Sequence, residues 1–247
     1  MARPYRLLLF DCFNTIFLAQ AARTPTLLLE GRPVPSTAPL LHARLAATHP
    51  HLAVEELHRA QRAAALWARN ERGPELREVS PLARFRHMLG LLGLDDPGER
   101  AVADLHEVHI QAVVNSFELP PEHRGLLEEW GQGYRLALFS NFDYAPAVIG
   151  LLQATGIKDW FDPLVISDQL GYRKPGRVAF ERTLRLTGLP TEQILFVGDS
   201  LDEDVTGARA VGLDVAWVNP DGAAPPPGAP EPTYAIRHLR ELRGLLA

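Results

Sequence analysis

Cysteine is nearly absent from the 247 residues; Cys12 stands alone. That excludes an intramolecular disulfide and fits a reducing compartment. Long apolar runs are missing as well. No stretch approaches the roughly 18 residues that a membrane helix needs. The start, "MARPYRLLLFD", is basic, but its apolar run ends at Asp11, too early for a secretory signal. Both absences lead to the expectation of a cytoplasmic protein. There is no basic excess either: 25 Lys and Arg face 30 Asp and Glu, for a net charge of -5. That argues against nucleic acid or an anionic membrane as partner. No Gly-rich P-loop or dinucleotide fingerprint follows a strand, and no solenoid repeat is visible. What remains, 46% hydrophobic and 22% charged, is a globular composition. Its length suits one sizeable core and a smaller second unit.

Short apolar segments that end in polar residues organise the chain. "RLLLF" (6–10) runs into Asp11, "RLALF" (135–139) into Ser140 and Asn141, and "ILFV" (194–197) into Gly198, Asp199 and Ser200. "LVIS" (164–167) and "LDVAWV" (213–218) complete a set of five expected strands. Helical patterns such as "AFERTLRLTGL" (179–189) and "DVTGARAVGL" (204–213) lie between them. Alternation of this kind predicts an α/β fold, a parallel Rossmann-like sheet with helices on both faces. Sites in such folds lie at the carboxyl ends of the strands, where Asp11, Ser140, Asn141 and Asp199 all fall.

From about residue 36 to 115 no strand is evident. "APLLHARLAA", "AVEELHRAQRAAALWARN", "PLARFRHMLGLL" and "GERAVADLHEVHIQAVVNSF" carry apolar residues at helical spacing, with Pro/Gly breaks near 73–74 and 97–98. An all-helical insertion is expected, giving a core of residues 1–20 and 116–247 and a cap of residues 21–115. Within it His106 and His109, three apart and without cysteines nearby, read as surface residues rather than a zinc site. "HPH" at 49–51 reads as a loop, and the four tryptophans as core or interface.

An aspartate at one strand end is most simply a turn cap. Several polar groups delivered to one sheet edge call for chemistry. "VGDSLDEDVTGA" (197–208) adds Asp199 and, five residues on, Asp204. Clustered carboxylates repel one another in a desolvated site unless a cation joins them, and an oxygen-rich cluster suits Mg²⁺. Asp202 or Asp204 could equally cap the next helix. "GYRKPGRVAF" (171–180) adds Lys174, which could neutralise carboxylates or clamp an anionic substrate. Ser140 and Asn141 offer a hydroxyl and an amide for oxygen-rich ligands.

Taken together, Asp11 with Thr15, Ser140, Lys174, and Asp199 with Asp204 resemble, in order, the four motifs of the haloacid dehalogenase (HAD) superfamily. The stretch 156–219 resembles it almost throughout, and the inserted helices are similar to the small helical cap of its subfamily I. The resemblance implies a two-domain hydrolase acting on a small, anionic substrate, with the site between core and cap. Asp11 would be the nucleophile and form a covalent intermediate. Thr15 and Ser140 would hold oxygens of the transferred group, Asn141 would also contact substrate, and Lys174 would offset negative charge. Mg²⁺ would be held by Asp11, the main-chain carbonyl of Phe13, Asp199 and, in support, Asp204.

Phe13 departs from the pattern. Most phosphatases of the family place a second aspartate there, which protonates the leaving alcohol and later activates water. Three readings follow. The chain is a phosphate monoester hydrolase lacking that acid. Or it resembles the 2-haloacid dehalogenases, which have an aromatic residue here and an arginine near the cap entrance, a role open to Arg23 or Arg32. Or it is a non-catalytic binding relative. Dehalogenases replace the Gly-Asp pair that this chain keeps at Gly198-Asp199, which favours phosphoryl chemistry.

Overall fold

The computed structural model describes residues 5–94 and 98–246. The basic start and the break expected at Pro97 therefore lie outside the described residues. The chain divides into two compact units, Met1–Leu18 with Leu119–Ala247, and Ala19–Glu118.

In the first unit six parallel strands form one sheet. Their order is Tyr234–Ile236, Asp214–Val218, Ile194–Gly198, Leu7–Phe10, Arg135–Ser140, Phe161–Ile166. Leu7 to Phe10 are fully buried, as expected of a central parallel strand covered on both faces. From this strand the chain winds outward in one direction, then returns and winds outward in the other. Phe10 is in register with Leu138 on one side and Val197 on the other, so the residues after all three strands emerge at one edge. On one face, Phe180 of the helix Arg177–Thr187 meets Phe139 and Phe196, with ring centroids 5.2 and 5.5 Å away. The helix Thr206–Ala210 approaches closely because residue 207 is glycine; a Cβ there would lie 2.1 Å from the Phe180 ring.

The second unit holds the expected helices: Ala38–Leu45, Val54–Glu71, Pro81–Gly90 and Gly98–Asn115. Leu41, Leu57, Phe85, Met88 and Leu105 meet in its core. A hairpin that sequence patterning did not anticipate, Thr26–Leu29 with Arg32–Pro35, precedes the helices. Its two-residue turn, Glu30-Gly31, has φ of 50° and 77°, the backbone that a tight turn between twisted strands requires. The expectation for His106 is corrected. It is buried against Phe85, edge to ring, because the four-residue spacing from Val102 and to Ile110 places it on the buried face of its helix. Among the described residues no helix is long and apolar enough to cross a membrane.

Candidate active site

The two strands from which winding proceeds in opposite directions, Leu7–Phe10 and Ile194–Gly198, flank the crevice where such sheets bind ligands. Asp11 and Asp199 emerge from them. The Asp11 N–H donates to the Val197 carbonyl at 2.8 Å, the last tie of Asp11 to the sheet. Beyond it the chain turns sharply. The N–H groups of Ile16 and Phe17 both donate to the Cys12 carbonyl at 2.9 Å, and Asn14 takes a φ of 59°. Asparagine tolerates this left-handed backbone better than most residues. The turn holds Thr15 fully buried, with its hydroxyl 3.5 Å from Asp199 Oδ1.

Lys174 is the charge centre. It is 2% exposed, and its Nζ donates to Asp11 Oδ1 at 2.6 Å and Asp204 Oδ1 at 2.7 Å. The same ammonium lies 5.3 Å from the ring centroids of both Phe139 and Phe196, a cation–π contact from each. Burial opposes its charge, but the two carboxylates outweigh burial and raise its pKa. Lys174 therefore stays cationic. Asp204 accepts from the Ser200 N–H with its other oxygen, at 2.9 Å. The glycine at 198 makes room for it, since a Cβ there would fall 2.3 Å from Asp204 Oδ2. The cap of the following turn is Ser200, whose hydroxyl accepts from the Glu203 N–H at 3.1 Å; neither Asp202 nor Asp204 takes that role.

Asp11, Asp199 and Asp204 can bring one oxygen each to within 4.8 Å of one another. Three carboxylates against one lysine leave two negative charges when all are ionised. The titration behaviour reflects that excess. Burial first, then Asp204, pushes Asp199 up to about 6. Burial also pushes Asp204 up to about 6, with Lys174 pulling the other way. Asp11 is raised as well, by burial against the pull of Lys174. The donor set fits a divalent cation: all oxygen, anionic by two charges and partly open at Asp199. A further observation points to a missing ligand. Ser140 Oγ is buried and has no hydrogen bond to any nitrogen or oxygen of the protein. Its neighbour, the Cys12 thiol, is kept neutral by burial and the Asp11 charge and is a weak partner.

Asn141 ties the Lys174 backbone to the site. Its Nδ2 donates to the Lys174 carbonyl at 2.9 Å and to Glu203 Oε2 at 2.8 Å, and its Oδ1 accepts from the Lys174 N–H at 2.9 Å. Both amide protons and the carbonyl are engaged, so the side chain fixes the Lys174 backbone. Three further contributors escaped the sequence. Phe142 packs on Phe13, with centroids 5.0 Å apart. The Ser167 hydroxyl accepts from the Phe142 N–H and donates to its carbonyl. Trp217 Nε1 donates to the Asp199 carbonyl at 2.8 Å. Each partner lies far along the chain, and no local motif marks it. Arg23 pairs with Glu118 at 2.7 Å within the second unit, and Arg32 lies in the hairpin.

A winding sheet with a carboxylate at the end of its first strand, a buried lysine and a Gly-Asp turn defines a class, and the family comparison agrees. The haloacid dehalogenase-like hydrolase model matches residues 5–212, and the chain belongs to that family. Among its relatives, the HAD-hydrolase YfnB of Bacillus subtilis is 28% identical over 249 residues, spanning 99% of this chain and 96% of that one. The pyrimidine 5'-nucleotidase YjjG of Escherichia coli is 38% identical over 96 residues, 38% of this chain and 42% of that one. Similar solved folds include magnesium-bound YfnB, with TM-score 0.65 at 23% identity. A 2-haloacid dehalogenase of Pseudomonas syringae gives 0.72 at 20% identity. Each covers 98% of both chains.

Proposed function

We propose that the chain is a Mg²⁺-dependent phosphate monoester hydrolase acting on a small molecule through an aspartyl-phosphate at Asp11. The observation that carries this reading is the Asp11, Asp199 and Asp204 cluster with its two uncompensated charges around Lys174. The partial likeness to the nucleotidase YjjG supports it. An Asp11 oxygen attacks phosphorus and the bond to the leaving oxygen breaks. Water then attacks phosphorus, the bond to Asp11 breaks, and the carboxylate is restored. Lys174 holds Asp11 in place and keeps positive charge beside it. Thr15 and the Ser140 hydroxyl bind phosphoryl oxygens. Mg²⁺, held by Asp11, Asp199 and the Phe13 carbonyl with Asp204 in support, would supply positive charge against the transferred group.

Phe13 provides no acid, so esters whose leaving oxygen needs little protonation are the favoured substrates. The same residue favours a second reading. Phe13 and Phe142 form an apolar pair beside Asp11, a surrounding in which Asp11 could displace halide from carbon without a leaving-group acid. The test is phosphate release from p-nitrophenyl phosphate with Mg²⁺ and with EDTA, beside chloride release from 2-chloropropionate. Metal-dependent phosphate release that Asp11→Asn abolishes is expected. Chloride release without phosphate release would replace this reading with the second.

A further inference from the structure

The carboxylate cluster of Asp11, Asp199 and Asp204 does not include Glu203, the neighbour of Asp204 in the chain. Glu203 lies in the turn Leu201–Val205, which leads into the helix Thr206–Ala210. That turn is wide. The N–H groups of Asp204 and Val205 both donate to the Ser200 carbonyl, at 2.9 and 3.1 Å, so one bond spans five residues. Turns of this width are rare and concentrate at functional sites. Glu203 is half-buried, and its carboxylate accepts from Asn141 Nδ2 at 2.8 Å. Among the described residues no other group donates to it and no cation pairs with it.

Asn141 carries the connection to Lys174. Its Nδ2 also donates to the Lys174 carbonyl, and its Oδ1 accepts from the Lys174 N–H, both at 2.9 Å. The three partners agree on one orientation. A flipped amide would turn Oδ1 toward a carbonyl and a carboxylate, two acceptors with no proton to share. The bond to Glu203 has an ionised acceptor and is the stronger kind. Lys174 is therefore gripped at both ends from one turn. Asp204 takes the ammonium at 2.7 Å, and Glu203, through Asn141, takes the main chain.

We infer that Glu203 is a positioning residue for the chemistry at Asp11. Its carboxylate holds the Asn141 amide against the Lys174 main chain and so sets where the Lys174 ammonium meets Asp11. The inference rests on the role proposed for Lys174 beside the Asp11 nucleophile. That ammonium lies 2.6 Å from Asp11 Oδ1, and a misplacement of about 1 Å in such a group can cost on the order of 10²-fold in rate.

The test reads hydrogen exchange at the Lys174 N–H in the whole chain. The Asp11 N–H, bound to the Val197 carbonyl across the sheet, is the reference. Glu203→Met keeps the length of the side chain and removes the acceptor; Glu203→Gln keeps an accepting oxygen. Glu203→Met is expected to speed exchange at Lys174 about tenfold relative to Asp11, and Glu203→Gln to restore most of the protection. In an Asn141→Ala background, where the bridge is already gone, Glu203→Met should add nothing. In p-nitrophenyl phosphate hydrolysis with Mg²⁺, kcat should fall about tenfold in Glu203→Met and recover in Glu203→Gln, with KM changing less. A residue that only stabilises the fold would speed exchange at Asp11 and Lys174 alike, and that outcome would overturn the inference. So would unchanged exchange at Lys174 in Glu203→Met, no recovery with glutamine, or an undiminished effect in the Asn141→Ala background. If the parent releases no phosphate, the phosphatase reading falls, and exchange still decides the role of Glu203.

Discussion

Replacing Lys174 with methionine isolates the charge at the centre of the site. Methionine keeps most of the length of the lysine side chain. What it removes is an ammonium hydrogen-bonded to Asp11 and Asp204 and held over the Phe139 and Phe196 rings. Lys174 and Asp204 are each buried to 1% side-chain exposure and Asp11 to 11%, so solvent screens little of the loss. Breaking a buried pair by removing one partner costs about 3–5 kcal/mol. For a chain of this size that is a fall in Tm of roughly 6–20 °C. The deficit should depend on pH. Asp204 already sits at about 6, and without Lys174 both carboxyls rise further. A folded pKa above the unfolded value gives stability that is complete below the unfolded pKa and lost as pH rises through the folded one. The variant should therefore approach the parent at mildly acid pH and fall away above about pH 6. Thermal unfolding by circular dichroism in EDTA, at both ends of that window, measures this. A variant as stable as the parent at neutral pH, or a deficit that ignores pH, would refute the reasoning.

Other expectations can be checked alongside. Phe13→Asp should speed hydrolysis of alkyl phosphates by about 10²–10⁴-fold while changing p-nitrophenyl phosphate little; steady-state rates on the two substrates decide it. Asp199→Asn should abolish metal-dependent phosphate release yet stabilise the metal-free protein at neutral pH. Asp199 is raised from 3.8 to about 6, so its ionisation costs up to roughly 3 kcal/mol, present above that pH and absent at low pH; urea unfolding in EDTA measures it. Gly198→Ala should displace Asp204, whose Oδ2 would lie 2.3 Å from the new Cβ, and should lower both Tm and turnover.

The buried strands were legible because Leu7–Phe10 and its neighbours are covered on both faces and so read as unbroken apolar runs. The polar residues ending them were legible for the same reason: a run that stops at a carboxylate marks a sheet edge. The hairpin at Thr26–Leu29 was hidden. Three successive leucines show no alternation, and Glu30-Gly31 is a weaker turn signal than Asn-Gly. The tie from Asn141 to Lys174 and Glu203 was not legible, because these partners are distant in sequence. His106 was misread as a surface residue because a histidine reads as polar, whereas its spacing from Val102 and Ile110 puts it on the buried face of its helix.

The position of Leu7–Phe10 at the middle of the sheet also bears on how the molecule assembles. Leu9 pairs with Ala137 on one side and Phe196 on the other, so both neighbours of this strand come from far along the chain. Closing such long loops is entropically slow. The helices of Ala19–Glu118, which share a core of their own, can form meanwhile. A bare, strongly apolar strand is exposed throughout that wait, and unpaired strand edges are where nascent chains aggregate. Asp11, Ser140 and Asp199 come together only when the wait ends, so a chain stalled before Asp199 has no nucleophile pocket at all.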